Sequence, residues 1–155
     1  PTMALLVMAM TVKDYMEAAL TEARSALAAG EVPVGAIITK GGKIIARAGN
    51  RCERDCDPTA HAEVLAIRQA AQALGDWRLA DCTLYVTLEP CCMCAGAIKN
   101  SRLGRVVFGA YDEGAGCCGS RANVAALGLG AKIVGGVMKE ECAALLGECF
   151  EELRN

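Results

Sequence analysis

Two short stretches, His61-Ala62-Glu63 and Pro90-Cys91-Cys92-Met93-Cys94, constrain this chain more than anything else in it. His61 is its only histidine. Both stretches fall where a helix is expected to begin. At such a point the unpaired backbone N–H groups and the positive end of the helix dipole favour anions. That lowers thiolate pKa and equips Cys91 and Cys94 as ligands. Helical positions three apart share a face, so the two cysteines can grip one ion together, while Cys92 points elsewhere. With His61 they make three ligands. A structural zinc site closes with four protein ligands, whereas a catalytic one keeps the fourth position for water. Glu63, two residues from His61, is placed for general acid–base work on such a water. Two plainer readings stand beside this one. Glu63 can be a first-turn partner of the helix dipole. Cys52 or Cys56 can supply a fourth ligand, a third thiolate, giving a structural zinc module without catalysis.

The rest of the chain reads as alternating helices and strands. Residues 12–29 are good helix formers that stop at Gly30. Residues 34–38 and 43–48 are β-rich, with a tight turn at Gly41-Gly42 between them. A polar, irregular segment follows over 49–57. A helix is then expected from Asp57-Pro58, with Asp57 as N-cap, to residue 74, where Gly75 stops it. Strands are expected over 83–88, 105–110 and 132–137, a helix from Pro90 to about residue 100, a glycine-rich loop over 112–119 and a closing amphipathic helix over 140–153. This order favours an α/β layered domain with some parallel pairing. No internal repeat or linker divides it. Residues 1–11 read as an extension or scar, with a native start expected at Met3 or Met10, ahead of one domain over 12–155.

More than half of the residues are hydrophobic, so the core is ample without staples. Ten cysteines would suggest a disulfide framework in a secreted chain. Three crowded at 91, 92 and 94 are poorly placed for three bridges, and a reducing cytoplasm is expected. Cys82, Cys142 and Cys149 read as small core residues. No apolar run is long enough to span a membrane. The net charge of −2 gives nucleic-acid binding no support in bulk, and the local cluster Lys99, Arg102, Arg105 fits a solvated helix end as well as a binding patch.

The pattern H-x-E followed by P-C-x-x-C is that of zinc nucleobase deaminases. Around it the sequence resembles the bacterial tRNA-specific adenosine deaminases, in 31-EVPVGA-36, 57-DPTAHAE-63, 83-TLYVTLEPC-91, 93-MCAGA-97, Ser101-Arg102, 105-RVVFGA-110 and Glu141-Cys142. The likeness runs from about residue 12 to 153. It implies a three-layer α-β-α fold of the cytidine deaminase type with a central five-stranded mixed sheet. It implies one Zn²⁺ per chain on His61, Cys91 and Cys94, with Glu63 carrying protons from the water to the ring and to the leaving ammonia. It makes Asn50 a base contact and Asp112 a contact to the RNA backbone beside the flipped base. On residue type alone, Asn50 also suits loop capping and Asp112 a turn before Gly114. The implied partners are the tRNA anticodon loop and a second copy of the chain.

Three departures bear on RNA recognition and none on the zinc chemistry. Tyr111 stands where the family usually has a basic residue, and offers an aromatic face on which a base can stack. Residues 125–131 lack the family's histidine-containing phrase. The C-terminal helix is acidic, with Glu140, Glu141, Glu148, Glu151 and Glu152 against Lys139 and Arg154. The expected activity is hydrolytic deamination of adenosine to inosine at the tRNA wobble position. The competing expectation is a deaminase of a free base or nucleoside such as guanine or cytosine, which needs no basic surface.

Overall fold

The computed structural model describes residues 9–124 and 130–154. Helix α1, Val12–Ala28, begins with a reciprocal cap: the Thr11 hydroxyl accepts from the Asp14 N–H (3.2 Å) and the Asp14 carboxylate accepts from the Thr11 N–H (2.8 Å). Strands β1, Gly35–Lys40, and β2, Lys43–Gly49, form the expected hairpin. Its two turn residues, Gly41 and Gly42, have φ of +57° and +79°, the left-handed region that glycine enters without cost. Then come α2 (Ala62–Leu74), β3 (Cys82–Leu88), α3 (Cys92–Ser101), β4 (Arg105–Ala110), β5 (Lys132–Val134) and α4 (Lys139–Arg154).

The strand order is β2-β1-β3-β4-β5. Strand β1 runs antiparallel to both neighbours, whereas β3, β4 and β5 are parallel, so the sheet is mixed. Successive side chains leave a strand on opposite faces, and both faces here are apolar. Ile37, Tyr85 and Val107 pack with Met16, Leu20 and Cys142 of α1 and α4. Ile38, Leu84, Val86, Val106 and Phe108 pack with Ala62, Ala66, Ala70 and Ile98 of α2 and α3. The result is the three-layer α-β-α arrangement. The parallel pairing of β3 with β4 sends their carboxyl ends out of the same edge, the place where open α/β sheets bind ligands. The chain leaves β3 into Glu89-Pro90-Cys91 and leaves β4 into Tyr111-Asp112.

The main revision concerns α2. The sequence places its start at Asp57-Pro58, but the helix begins at Ala62 with His61 as N-cap. Asp57 instead accepts from both the N–H and the hydroxyl of Thr59 (2.8 and 2.7 Å), closing a local turn. The cap on α2 comes from twelve residues away, where Asn50 Oδ1 accepts the Ala62 N–H (2.8 Å). Similarly, α3 starts at Cys92 rather than Pro90, with Cys91 as N-cap. Strand β5 stops at Val134, three residues short of the expected end. Gly135 there lies against the Phe108 ring, too close for any Cβ. The departure over residues 125–129 lies outside the described residues. Among the described residues, no helix is long and apolar enough to cross a membrane.

Cys82 and Cys142 are the core residues they were expected to be, and Cys149 is also buried. Arg102 closes α3 in the left-handed conformation and donates to the Lys99 carbonyl (3.1 Å), which favours the helix-end reading of that basic cluster. Helix α1 lies on β1 so closely that a Cβ on Gly35 would overlap the Ala19 carbonyl oxygen and the Ala23 nitrogen. Gly35→Ala is therefore expected to cost about 1–3 kcal/mol through overpacking, read as a lower midpoint in urea unfolding with unchanged slope.

Candidate metal centre and active site

His61 and Cys91 occupy equivalent positions, each the N-cap of a helix whose amino end opens at the ligand-binding edge of the sheet. Cys94 sits one turn into α3 and is fully buried. His61 Nδ1 lies 3.6 Å from Cys91 Sγ and 3.5 Å from Cys94 Sγ. Metal bonds of about 2.3 Å to sulfur and about 2.0–2.1 Å to nitrogen, at tetrahedral angles, would put such donors about 3.6 Å apart. Donor type and spacing therefore both suit a single Zn²⁺. All three donor atoms fall within 4.8 Å of one another, and neither Cys52 nor Cys56 joins the group. The closed alternative, with a third thiolate as fourth ligand, finds no support among the described residues.

The charge state of the site follows from its neighbours. Hydrogen bonding from Cys94 and then His61 stabilises the Cys91 thiolate and lowers its pKa to about 3. Cys94 is pushed the other way, first by that thiolate and then by burial. His61 is pulled up, chiefly by its bond to Cys91. Glu63 is buried in the first turn of α2, and burial raises its carboxyl pKa. Glu63 and Cys94 each shift the other's titration, which places the carboxyl near the donor set.

Asn50, His61, Glu63, Cys91 and Asp112 line one cavity of about 390 Å³, with Leu88 and Cys149 on its apolar side. The volume lies within the range of small-ligand pockets. The plain alternatives for Asn50 and Asp112 hold alongside their place in the cavity. Asn50 caps α2 through Oδ1, which leaves its NH₂ as a donor. Asp112 Oδ1 accepts from the Gly114 and Ala115 N–H groups (both 3.1 Å), closing a turn. Tyr111 is half exposed beside the cavity rather than in its wall, with its ring edge-on to Phe108 at 5.1 Å.

Two buried carboxylates were not singled out by the sequence. Glu89 accepts from the backbone N–H groups of Asp112 (3.1 Å), Cys118 and Ser120 (both 3.0 Å) and from the Ser120 hydroxyl. Burial opposes its ionisation, but these bonds outweigh burial and lower its pKa. It fixes the loop after β4 across the start of α3. Glu31 does the same for the loop between β2 and α2, accepting from the N–H groups of Glu53 (3.0 Å) and Arg54 (2.9 Å) and from Arg54 Nε (3.1 Å). Arg54 in turn donates to the Asn50 carbonyl (2.9 Å). The available signal was an acid set among apolar residues: Glu89 at the end of a buried strand, Glu31 before Val32-Pro33-Val34.

One pair of cysteines that the sequence did not single out, Cys92 and Cys117, forms a disulfide. Cys91 bridges Gly116 in antiparallel fashion and the Cys117 N–H donates to the Pro90 carbonyl (2.9 Å), so Cys92 and Cys117 lie diagonally across this bridge, with Cα atoms 5.0 Å apart. Cys92 points away from the donor set, as its place on the helix requires.

Comparison with known proteins agrees with this geometry. Residues 10–141 match the family model of MafB19-like deaminases. The chain belongs to that deaminase family. A tRNA-specific adenosine deaminase of Bacillus subtilis is 50% identical over 143 residues, spanning 90% of this chain and 89% of the relative. A solved structure from work on A-to-I editing by tRNA:A34 deaminases superposes with a TM-score of 0.82 at 43% identity, covering 84% of this chain and 97% of the other. A guanine deaminase from Nitrosomonas europaea has a TM-score of 0.80 at 28% identity, covering 90% and 84%. Within the deaminases, this chain takes its place among the tRNA-specific adenosine deaminases.

Glu31 gives a pH test of the loop clamp. Burial raises its pKa, but hydrogen bonds from Arg54 and Glu53 outweigh burial and leave it lowered. Its stabilising effect is then present above the unfolded carboxyl pKa of about 4.3 and is lost as pH falls through the lower folded value. Glu31→Gln is expected to lose about 2 kcal/mol near neutral pH, with the gap to wild type closing below about pH 4 in unfolding curves across pH.

Proposed function

We propose that this chain is a zinc-dependent hydrolase that converts adenosine to inosine at the wobble position of tRNA, releasing ammonia. One observation supports the reading: a three-donor group of His61, Cys91 and Cys94, with no fourth protein ligand beside it among the described residues, at a cavity whose wall includes the Glu63 carboxyl. The family and the relatives' activity supply the substrate. The same three residues would hold one Zn²⁺ per chain. When bound, the ion acts as a Lewis acid that brings the pKa of a water down toward 7.

The remaining steps belong to the chain's own groups. Glu63 accepts a proton from the attacking water and delivers protons to the purine ring and to the departing ammonia. Burial suits it to this work, since a raised pKa brings the carboxyl closer to the operating pH. Asn50 offers its NH₂ to an acceptor on the base, because its oxygen is committed to Ala62. Asp112 offers its second carboxylate oxygen to a hydroxyl of the RNA backbone. Apolar contacts from Leu88 hold the base and exclude bulk water. The catalytic unit spans residues 12–155, works as a homodimer and acts in the cytoplasm.

Inosine formation in an anticodon stem-loop bearing a wobble adenosine tests the reading. Wild type with one zinc per chain is expected to form inosine, and Glu63→Ala to lose about 10²–10⁴-fold in rate while keeping its zinc. Zinc-loaded wild type that leaves the stem-loop unchanged but releases ammonia from guanine would move the substrate to a free base. Tyr111→Ala is expected to weaken stem-loop turnover through KM, by the about 1–3 kcal/mol that base stacking on an aromatic provides. Unchanged kinetics would remove Tyr111 from the RNA site.

A further inference from the structure

A chain with net charge −2 that acts on RNA needs a local concentration of positive charge. The structure has one away from the sites considered so far. A polar groove of about 440 Å³ runs along β2, the edge strand of the sheet, between α1 and α2. Four arginines reach it: Arg47 from β2, Arg51 and Arg54 from the following loop, and Arg68 from α2. Among the described residues, the guanidinium groups of Arg47 and Arg68 carry no hydrogen bond or ion pair. Arg51 uses only Nε, which donates to Asp55, so its two terminal nitrogens stay available. Arg54 is committed to Glu31 and the Asn50 carbonyl. Gln69 accepts the Arg47 N–H through Oε1 (3.1 Å), which leaves its NH₂ as a further donor and closes the strand edge to pairing at that point. One acid, Glu22, lines the groove. The balance is rich in donors and poor in acceptors.

We infer that this groove binds a phosphodiester of the RNA strand that flanks the target nucleotide. This rests on the tRNA reading above and extends it to a subsite. Guanidinium forks match phosphate oxygens two at a time, and Arg47 and Arg68, drawn together from a strand and a helix, hold no ion pair among the described residues, Asp57 acting on Arg68 only through its charge. The choice of occupant comes from the loop between β2 and α2, which is a wall shared by both cavities. Its residues Asn50, Cys52 and Glu53 line the active-site cavity, while Arg51 and Arg54 line the groove. A strand whose base enters the first cavity passes over this loop and lays its backbone beside the arginines. Glu31, by holding the loop rigid, sets the spacing between the two.

The test is the exposed double variant Arg47→Gln/Arg68→Gln, in zinc-loaded enzyme whose thermal unfolding matches wild type. Binding of the anticodon stem-loop is expected to weaken about tenfold at low salt, and the slope of log affinity against log salt to become shallower by about 1–2. The rate at saturating RNA should hold, because neither arginine touches the reacting base. Wild-type inosine formation with unchanged affinity and salt slope in the double variant would overturn the groove and leave the tRNA reading intact. No binding of the stem-loop by wild type would overturn both. Inorganic phosphate that binds wild type but not the double variant, with RNA affinity unaltered, would reassign the groove to a free anion and overturn the proposal.

Discussion

The convergence of two helix amino ends on one point governs this molecule. Each brings roughly half a positive charge from its unpaired N–H groups, so α2 and α3 would repel each other there if only neutral side chains lay between them. The chain places acids at that point instead. Cys91 ionises readily, Glu63 lies in the first turn of α2, and Cys94 sits between them. The same groups that make the convergence tolerable are those that can hold a divalent cation and move protons beside it. Three donors separated by about one tetrahedral edge, with Glu63 next to them, are a consequence of how the two helices start.

The parallel pairing of β3 and β4 supplies the frame, and two buried carboxylates supply the precision. Glu89 and Glu31 both line the cavity and do the same work. Each trades its hydration for N–H donors from a loop that would otherwise be free to move. A buried acid is expensive unless its oxygens are satisfied, and both are satisfied by several donors. The loops therefore hold Asp112 and Asn50 in place.

Much of this was legible in the sequence because it depended on local pattern. The Cys91/Cys94 pair of candidate donors, the hairpin at Gly41-Gly42, the strand over residues 105–110 and the stops at Gly30 and Gly75 each rest on residues a few positions apart. What could not be read depended on partners distant in sequence. Asp57-Pro58 has the composition of a helix start, yet Asn50 supplies the cap to Ala62 and Asp57 closes a turn with Thr59. The Cys92–Cys117 pair exists because the loop after β4 folds back on Cys91. The positive groove eluded a charge count for the same reason. Lys99, Arg102 and Arg105 are close in the sequence but mark a helix end, whereas Arg47 and Arg68 are far apart and meet only through the packing of α2 on β2.

X-ray absorption at the zinc edge of the purified, zinc-loaded protein tests the central claim most directly. The account predicts one zinc per chain with two sulfur neighbours at about 2.3 Å and one imidazole nitrogen at about 2.0–2.1 Å, and a fourth neighbour that is a light atom exchangeable with solvent. A third sulfur, from Cys52, Cys56 or Cys118, would mean a closed structural site and would contradict the account of this chain as a catalyst.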